Sequence, residues 1–231
     1  MFRIQDIAKV YTRRGQQVVA FESPSLTIPR GQYVALVGPS GSGKTTLLSI
    51  LGGMLSPTRG QVMLDGISLY DQSPTERARL RGITIGFVFQ AFNLVPYLTA
   101  LENVQIPLYL AGVNQQKQRE QAAELLGHLG LADRLHHKPC ELSAGQQQRV
   151  ALARTVANNP PVILADEPTG NLDPDSRSHV LNFLDDLHRR ERTIVVVTHD
   201  PTAAQRAQRQ LTLRDGAIIG EQTAATVARA A

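Results

Sequence analysis

The stretch Gly38-Pro39-Ser40-Gly41-Ser42-Gly43-Lys44-Thr45 carries the spacing G-x-x-x-x-G-K-[ST], and Thr46 continues it. These residue types in this order make a cradle for phosphate. Gly38, Gly41 and Gly43 let the backbone come close to an anion and turn its N–H groups inward. Lys44 sets a cation on the β- and γ-phosphates. The Thr45 hydroxyl is a ligand for Mg2+, an ion that keeps most of its waters. The context supports the motif: Tyr33–Val37 reads as a strand, and Lys44–Leu55 as a helix whose positive end begins at the lysine. The stretch reads as a nucleoside triphosphate site.

A second cluster ends another apolar run. Val162-Ile-Leu-Ala-Asp166-Glu167-Pro168 finishes on two carboxylates. In an open α/β sheet that end lies on the edge where ligands bind. Asp166 is placed to hold Mg2+ through a water. Glu167 is the better general base, able to take a proton from a water in line with the γ-phosphate. A solvated strand end would also be acidic, but two adjacent carboxylates favour hydrolysis. His199 follows the run "IVVVTHD"; it either hydrogen-bonds the γ-phosphate or attacking water, or caps a strand-to-helix turn. Gln90 closes "GFVFQ", where an amide can ligate Mg2+ or orient water.

These groups meet only if their strands end on one edge. Gly86–Phe89, Val162–Ala165 and Ile194–Thr198 read as continuous buried strands, and Pro174–Arg190 as an amphipathic helix. Buried strands alternating with helices indicate a parallel α/β sheet. The ends look antiparallel: Phe2–Val10 with Val18–Ile28, and Leu211–Ile219 turning at Asp215-Gly216. Residues 94–158 form a helical block, with Gln115–Leu129 and Gly145–Ala157 as its helices. No Gly/Ser-rich linker separates it, so residues 1–231 are expected to be one domain. Residues 1–93 and 159–231 would form its core, with 94–158 as an inserted subdomain.

The totals set outer limits. The composition is globular, with 42% hydrophobic and 19% charged residues, and excludes a repeat array or a disordered chain. A net charge of +4 is too weak to argue for nucleic acid; phosphate ligands or an anionic membrane surface fit as well. One cysteine, Cys140, rules out a disulfide within the chain. His136 and His137 beside it leave a zinc site one ligand short. The N-terminus lacks the apolar stretch of a secretory signal, and no apolar run reaches the length of a membrane helix. The chain is expected to be cytoplasmic, with any membrane role depending on a partner.

In order, the phosphate loop, "FVFQ", "ELSAGQQQRVALAR", "VILADEPTGNLD" and "VVVTHD" resemble the nucleotide-binding subunit of ATP-binding-cassette (ABC) transporters, over essentially the whole chain. The resemblance implies an ABC-type P-loop NTPase fold and an ATPase using ATP and Mg2+. It implies a head-to-tail pair of subunits, each ATP lying between the phosphate loop of one and the signature of the other. Ser143, Ala144, Gly145 and Gln146 would then touch ATP held by the partner. It also implies that Tyr11 stacks on adenine, that Asp173 couples the two sites, and that His199 is the switch histidine. Gln90 would begin the loop that senses a membrane permease.

A finer resemblance links "GFVFQAFNLVPYLTALENVQIPLYLAGV" to the branch serving lipoprotein-releasing and macrolide-export permeases, some members of which act in cell division. It implies export or extraction of a lipophilic, lipoprotein or drug-like substrate, with the chain at the cytoplasmic face of the inner membrane. The alternative is an ATPase switch that acts on a membrane partner without transport. Phe92, Leu94, Pro96 and Leu98 are expected to build the groove that grips the permease, near Gln90–Leu98. A homodimer is the default, since one cassette carries nearly complete motifs. With no long heptad run or tandem cassette, a nucleic-acid partner is not expected. The chain ends soon after its last strand, so no C-terminal regulatory domain is expected.

One position departs from the family signature: Ala144 stands where a glycine is usual. A positive φ there would cost alanine about 1–2 kcal/mol. A place in the first helical turn would cost nothing, and that is the expected case.

Overall fold

The computed structural model describes residues 1–13, 15–170 and 172–223. Its centre is five parallel strands in the order β9 (Arg209–Arg214), β3 (Tyr33–Val37), β8 (Thr193–Val197), β7 (Val162–Asp166) and β6 (Ile85–Val88). Strands β3, β7 and β8 are buried nearly throughout, which is why their sequences are continuous apolar runs. Side chains alternate between two cores. Val34, Leu36, Leu164, Val195 and Val197 face Leu47, Leu48 and Leu51 of α1 (Lys44–Leu51). Ala35, Ile163, Ala165, Ile194 and Val196 belong to the core of Val180, Leu184 and Leu187 from α6 (Pro174–Arg189).

The antiparallel part is β1 (Phe2–Arg13), β2 (Gln16–Ile28), β4 (Arg59–Leu64) and the short β5 (Ile67–Ser68). Strand β10 (Ala217–Thr223) joins it to the parallel part, pairing antiparallel with β9 and parallel with β2. The result is one ten-stranded sheet. The β9–β10 turn has Asp215 at φ 48 and Gly216 at φ 80, the two left-handed residues of a tight hairpin.

Helices α3 (Ala100–Leu110), α4 (Gln115–His128) and α5 (Ala144–Val156) have a small core of their own, built on Leu101, Val104, Ala122, Leu126, Val150 and Ala153. Helix α5 serves two cores, because its Leu152 enters the sheet's α6-facing core. Helix α1 stops at Leu51, short of the expected Leu55, where Gly52 and Gly53 follow and Gly53 takes φ 63. Strands β4 and β5 and helix α3 escaped the sequence reading, as did α2 (Pro74–Thr84). Helix α2 buries no residue, so it has no apolar stripe, only a Ser73/Glu76 capping box and Pro74 at its start. Helix α3 carries Pro107 within it.

Candidate active site

The strand register decides the site. Leu36 pairs with Val197, Val197 with Asp166, and Val88 with Ala165, so four strands end level. The residues just beyond those ends are Gly38, His199, Glu167 and Gln90. Four separate motifs thus reach one edge.

In the phosphate loop, Gly38, Gly41 and Gly43 have φ of 145, 78 and 96. Two of them are also forced by packing: a Cβ on Gly38 would stand 2.1 Å from the Leu213 carbonyl, and one on Gly43 2.4 Å from the Ala20 carbonyl. Helix α1 begins on Gly43 with no side-chain cap, leaving its first N–H groups facing the loop. The Lys44 ammonium is buried and donates to the carbonyls of Gly38 and Pro39, each at 2.8 Å. Ser42 Oγ is buried without a hydrogen-bond partner among the described residues, an unusual cost in a polar loop. Uncapped N–H groups, a held ammonium and an orphan hydroxyl fit a polyphosphate.

Thr45 Oγ1 donates to Asp166 Oδ1 at 3.2 Å, joining the helix start to the end of β7. Burial pushes the Asp166 carboxyl above its ordinary range. The Thr45 bond and Lys44 pull against that shift, while neighbouring Glu167 adds to it. A hydroxyl and a desolvated carboxylate are hard oxygen donors, and a cation there would relieve the repulsion between Asp166 and Glu167; the set fits Mg2+. Glu167 itself is left-handed, at φ 46, a strained conformation for a side-chain-bearing residue. Its N–H donates to the Val197 carbonyl at 2.9 Å. Its carboxylate accepts from His199 Nδ1 at 2.9 Å and from the His199 N–H at 3.4 Å. The carboxylate is mostly buried (15% exposed), while the imidazole is 71% exposed and turns its other nitrogen outward.

The remaining candidates sit farther out. Gln90 is exposed; its amide nitrogen would lie 3.3 Å from a Cβ on Gly170, beside Glu167. Tyr11 is 45% exposed on β1, opposite Val18, two residues before the Ala20 that contacts Gly43. Its ring lies under the Lys9 ammonium at 5.1 Å.

The polar stretch at Ser143 opens α5. Ser143 Oγ accepts from the Gln146 N–H at 3.3 Å, and the Gln146 side chain accepts from the Ser143 N–H at 2.9 Å, a full capping box. Ala144 is the first helical residue and is absent from the left-handed set, so alanine there is unstrained, as expected. Gly145 is buried, and a Cβ on it would stand 2.1 Å from Ser176 Oγ. The glycine is needed so that α5 and α6 can start side by side. Asp173, the N-cap of α6, lies at the same junction; hydrogen bonds from Ser176 hold its carboxyl below the ordinary range.

Sequence reasoning missed three residues of this helix. Gln147 Nε2 donates to the Leu142 carbonyl at 3.0 Å, and buried Gln148 Nε2 to the Pro168 carbonyl at 2.7 Å. With Gln146 in the capping box, each glutamine of the run has its own task. Arg154 reaches the carbonyls of Phe92 and Asn93. All these partners are backbone carbonyls, those of Gln148 and Arg154 far away in sequence, and a carbonyl leaves no motif.

Of the four residues expected to form a permease groove, Pro96 is exposed and Phe92, Leu94 and Leu98 are half-buried. Phe92 and Leu94 pack inward against the two helix-bearing cores, because their loop is pulled down onto α5. The groove beside them comes from other residues. Two adjoining cavities of about 400 and about 510 Å³ share Gly82, Pro107, Leu110 and Asn158, and add Phe89, Val95 and Ile106 on one side and Ile83 on the other. Ile83, Val95 and Leu110 of this lining are exposed. No helix among the described residues is long and apolar enough to cross a membrane.

The sheet edge and its phosphate loop define a P-loop nucleotide cassette. Residues 21–170 match the family model described as ABC transporter, and the chain belongs to that family of ATP-binding cassettes. It is an ABC-type ATPase domain. It is 47% identical over 221 residues to the macrolide export ATP-binding/permease protein MacB of Hyphomonas neptunium, covering 96% of this chain but 34% of that protein. It is 46% identical over 220 residues to an uncharacterized ABC transporter ATP-binding protein of Thermotoga maritima, covering 95% and 94% of the two chains. The chain therefore spans about a third of the length of MacB. Among solved structures, a dimeric post-hydrolysis ATP-binding cassette bound to ADP and Pi superposes with a TM-score of 0.91 at 41% identity, covering 96% of this chain and 98% of that one.

Proposed function

We propose that two copies of this chain close head to tail on two ATP molecules and drive a separate membrane permease. The observation that carries this reading is the level strand ends that join Thr45 to Asp166 and His199 to Glu167 beside Lys44. Residues Gly38–Thr46 cradle the phosphates, Lys44 neutralises the β- and γ-groups, and Tyr11 supports the adenine. Thr45, Gln90 and, through a water, Asp166 hold Mg2+, which shields phosphate charge when bound. Glu167 takes the proton of the attacking water as its oxygen bonds to the γ-phosphorus. The bond to the β–γ bridging oxygen breaks, and ADP and phosphate result. His199 holds the Glu167 carboxylate and offers its outer nitrogen to the γ-phosphate. Ser143, Ala144, Gly145 and Gln146 meet the ATP of the partner copy, with Asp173 coupling the two sites.

The reading treats residues 94–158 as a helical subdomain of a single domain. The apolar groove at Ile83, Val95, Pro107 and Leu110 takes a cytoplasmic segment of the permease, close to the expected region after Gln90. Kinship to macrolide export proteins supports export of a lipophilic substrate from the cytoplasmic face of the membrane.

Glu167→Gln tests the core of this reading. It should keep ATP, trap a dimer visible by size-exclusion light scattering, and slow hydrolysis by about 10²- to 10⁴-fold, the usual worth of a general base. Hydrolysis at the normal rate would remove Glu167 from that role.

A further inference from the structure

Arg154 is a cation that the chemistry above does not use. It stands near the end of α5, half-buried, and that burial lowers its pKa. It enters none of the ion pairs of the described residues. Its two terminal nitrogens donate instead to main-chain carbonyls, Nη1 to Asn93 at 2.6 Å and Nη2 to Phe92 at 2.8 Å. Both acceptors are left-handed, Phe92 at φ 45 and Asn93 at φ 51, a conformation that asparagine tolerates but that strains phenylalanine. The Asn93 N–H donates back to Ala91, so this bend begins directly after Gln90. A partly buried guanidinium bound only to two main-chain carbonyls, one of them on strained Phe92, is a costly way to hold a surface loop. It fixes the path of that loop against one helix.

The same helix holds a second turn. Gln148 donates to the Pro168 carbonyl, one residue past Glu167. Helix α5 therefore starts at Ser143, grips the turn after β7 with Gln148 and grips the turn after β6 with Arg154. Arg154 also lines the apolar groove, together with Phe89, Val95 and Ile106.

We propose that Arg154 is a positioning residue that makes the turn after Gln90 and the helix beginning at Ser143 move as one body. A segment seated in the groove then shifts Ser143–Gln146 relative to the phosphate loop, through Arg154. This rests on the reading that those residues meet the partner's ATP.

The test uses the full chain with Arg154→Met, Arg154→Lys and Arg154→Ala. Nucleotide affinity of the monomer should not change, because Lys44 and its loop are untouched. In Arg154→Met, kcat should fall about tenfold, equivalent to about 1.4 kcal/mol of barrier. In the Glu167→Gln background the same change should raise the ATP concentration needed to form the dimer. Arg154→Lys, with a charge but no fork, should recover only part of the loss. The space left in Arg154→Ala adjoins the groove, so guanidinium ion at non-denaturing concentration should restore kcat there and leave the wild type unaffected. A wild-type kcat and dimerisation in Arg154→Met would overturn the proposal. So would a common fall in melting temperature, affinity and kcat without guanidinium rescue. If Glu167→Gln itself traps no dimer, the dimer reading fails, and kcat with rescue still decides on Arg154.

Discussion

Helices α1 and α5 both start with the small, polar residues of an anion site, yet they are finished differently. Helix α1 starts on left-handed Gly43 with no side-chain cap, and Lys44, Thr45 and Asp166 gather around its first turn. Helix α5 starts on Ser143 with a complete capping box, and its glycine is spent on packing against Ser176. An uncapped helix end beside a buried ammonium can hold phosphate with residues of its own chain. A capped end has part of its hydrogen bonding met already, and no cation belongs to its first turn. The first is a site in its own right. The second suits a ligand that another molecule delivers and holds.

Variants at the two helix starts should separate them. The largest effect belongs to Lys44→Met. Loss of charged hydrogen bonds to phosphate, worth about 1.5–3 kcal/mol each, should weaken ATP binding roughly tenfold or more in titrations of the monomer. Unchanged affinity would mean that α1 does not hold the phosphates. Gly145→Ala is the counterpart on α5. Its Cβ must push Ser176 away, and overpacking of this kind costs about 1–3 kcal/mol. Melting temperature and ATP-driven dimerisation should fall while ATP affinity of the monomer stays. An equal loss of affinity would show that the two starts are one unit.

The smallest effect concerns Asp166 and sharpens the account of the α1 side. Burial raises its pKa above the ordinary value of 3.8, so the folded state binds its proton more tightly than the unfolded state. Stability is then lost as pH rises from 3.8 through the raised folded value, and the full penalty persists at neutral pH. Without nucleotide, Asp166→Asn should melt at a slightly higher temperature than wild type near pH 7, with the gain vanishing in acid. A lower melting temperature at neutral pH would mean that the charged Asp166–Thr45 bond outweighs burial.

The parts of the site legible in the sequence share one property: they depend on residues close together in the chain. Gly38–Thr45 works within one loop, and the apolar runs before Gly38, Glu167 and His199 announce strands by themselves. The unstrained helical place of Ala144 was open to the same local reasoning. Groups that act across the chain were hidden. Gln148 and Arg154 each reach a carbonyl, and every residue has a carbonyl, so no pattern marks the partner. Phe92 and Leu94 were expected at the groove because they are apolar and follow Gln90. Their inward packing depends on how Arg154 bends the loop.

Residue order alone determined the phosphate loop, the acidic strand end, the starts of α1 and α5 and the family, because each is set by local geometry and spacing. Only the folded sheet decided that Thr45 meets Asp166, that His199 meets Glu167, and that Gly145 must stay small against Ser176. Those meetings depend on strand register and on how closely two helices approach. Both are settled by packing over the whole core, where a shift of one residue along a strand would carry every side chain to the opposite face.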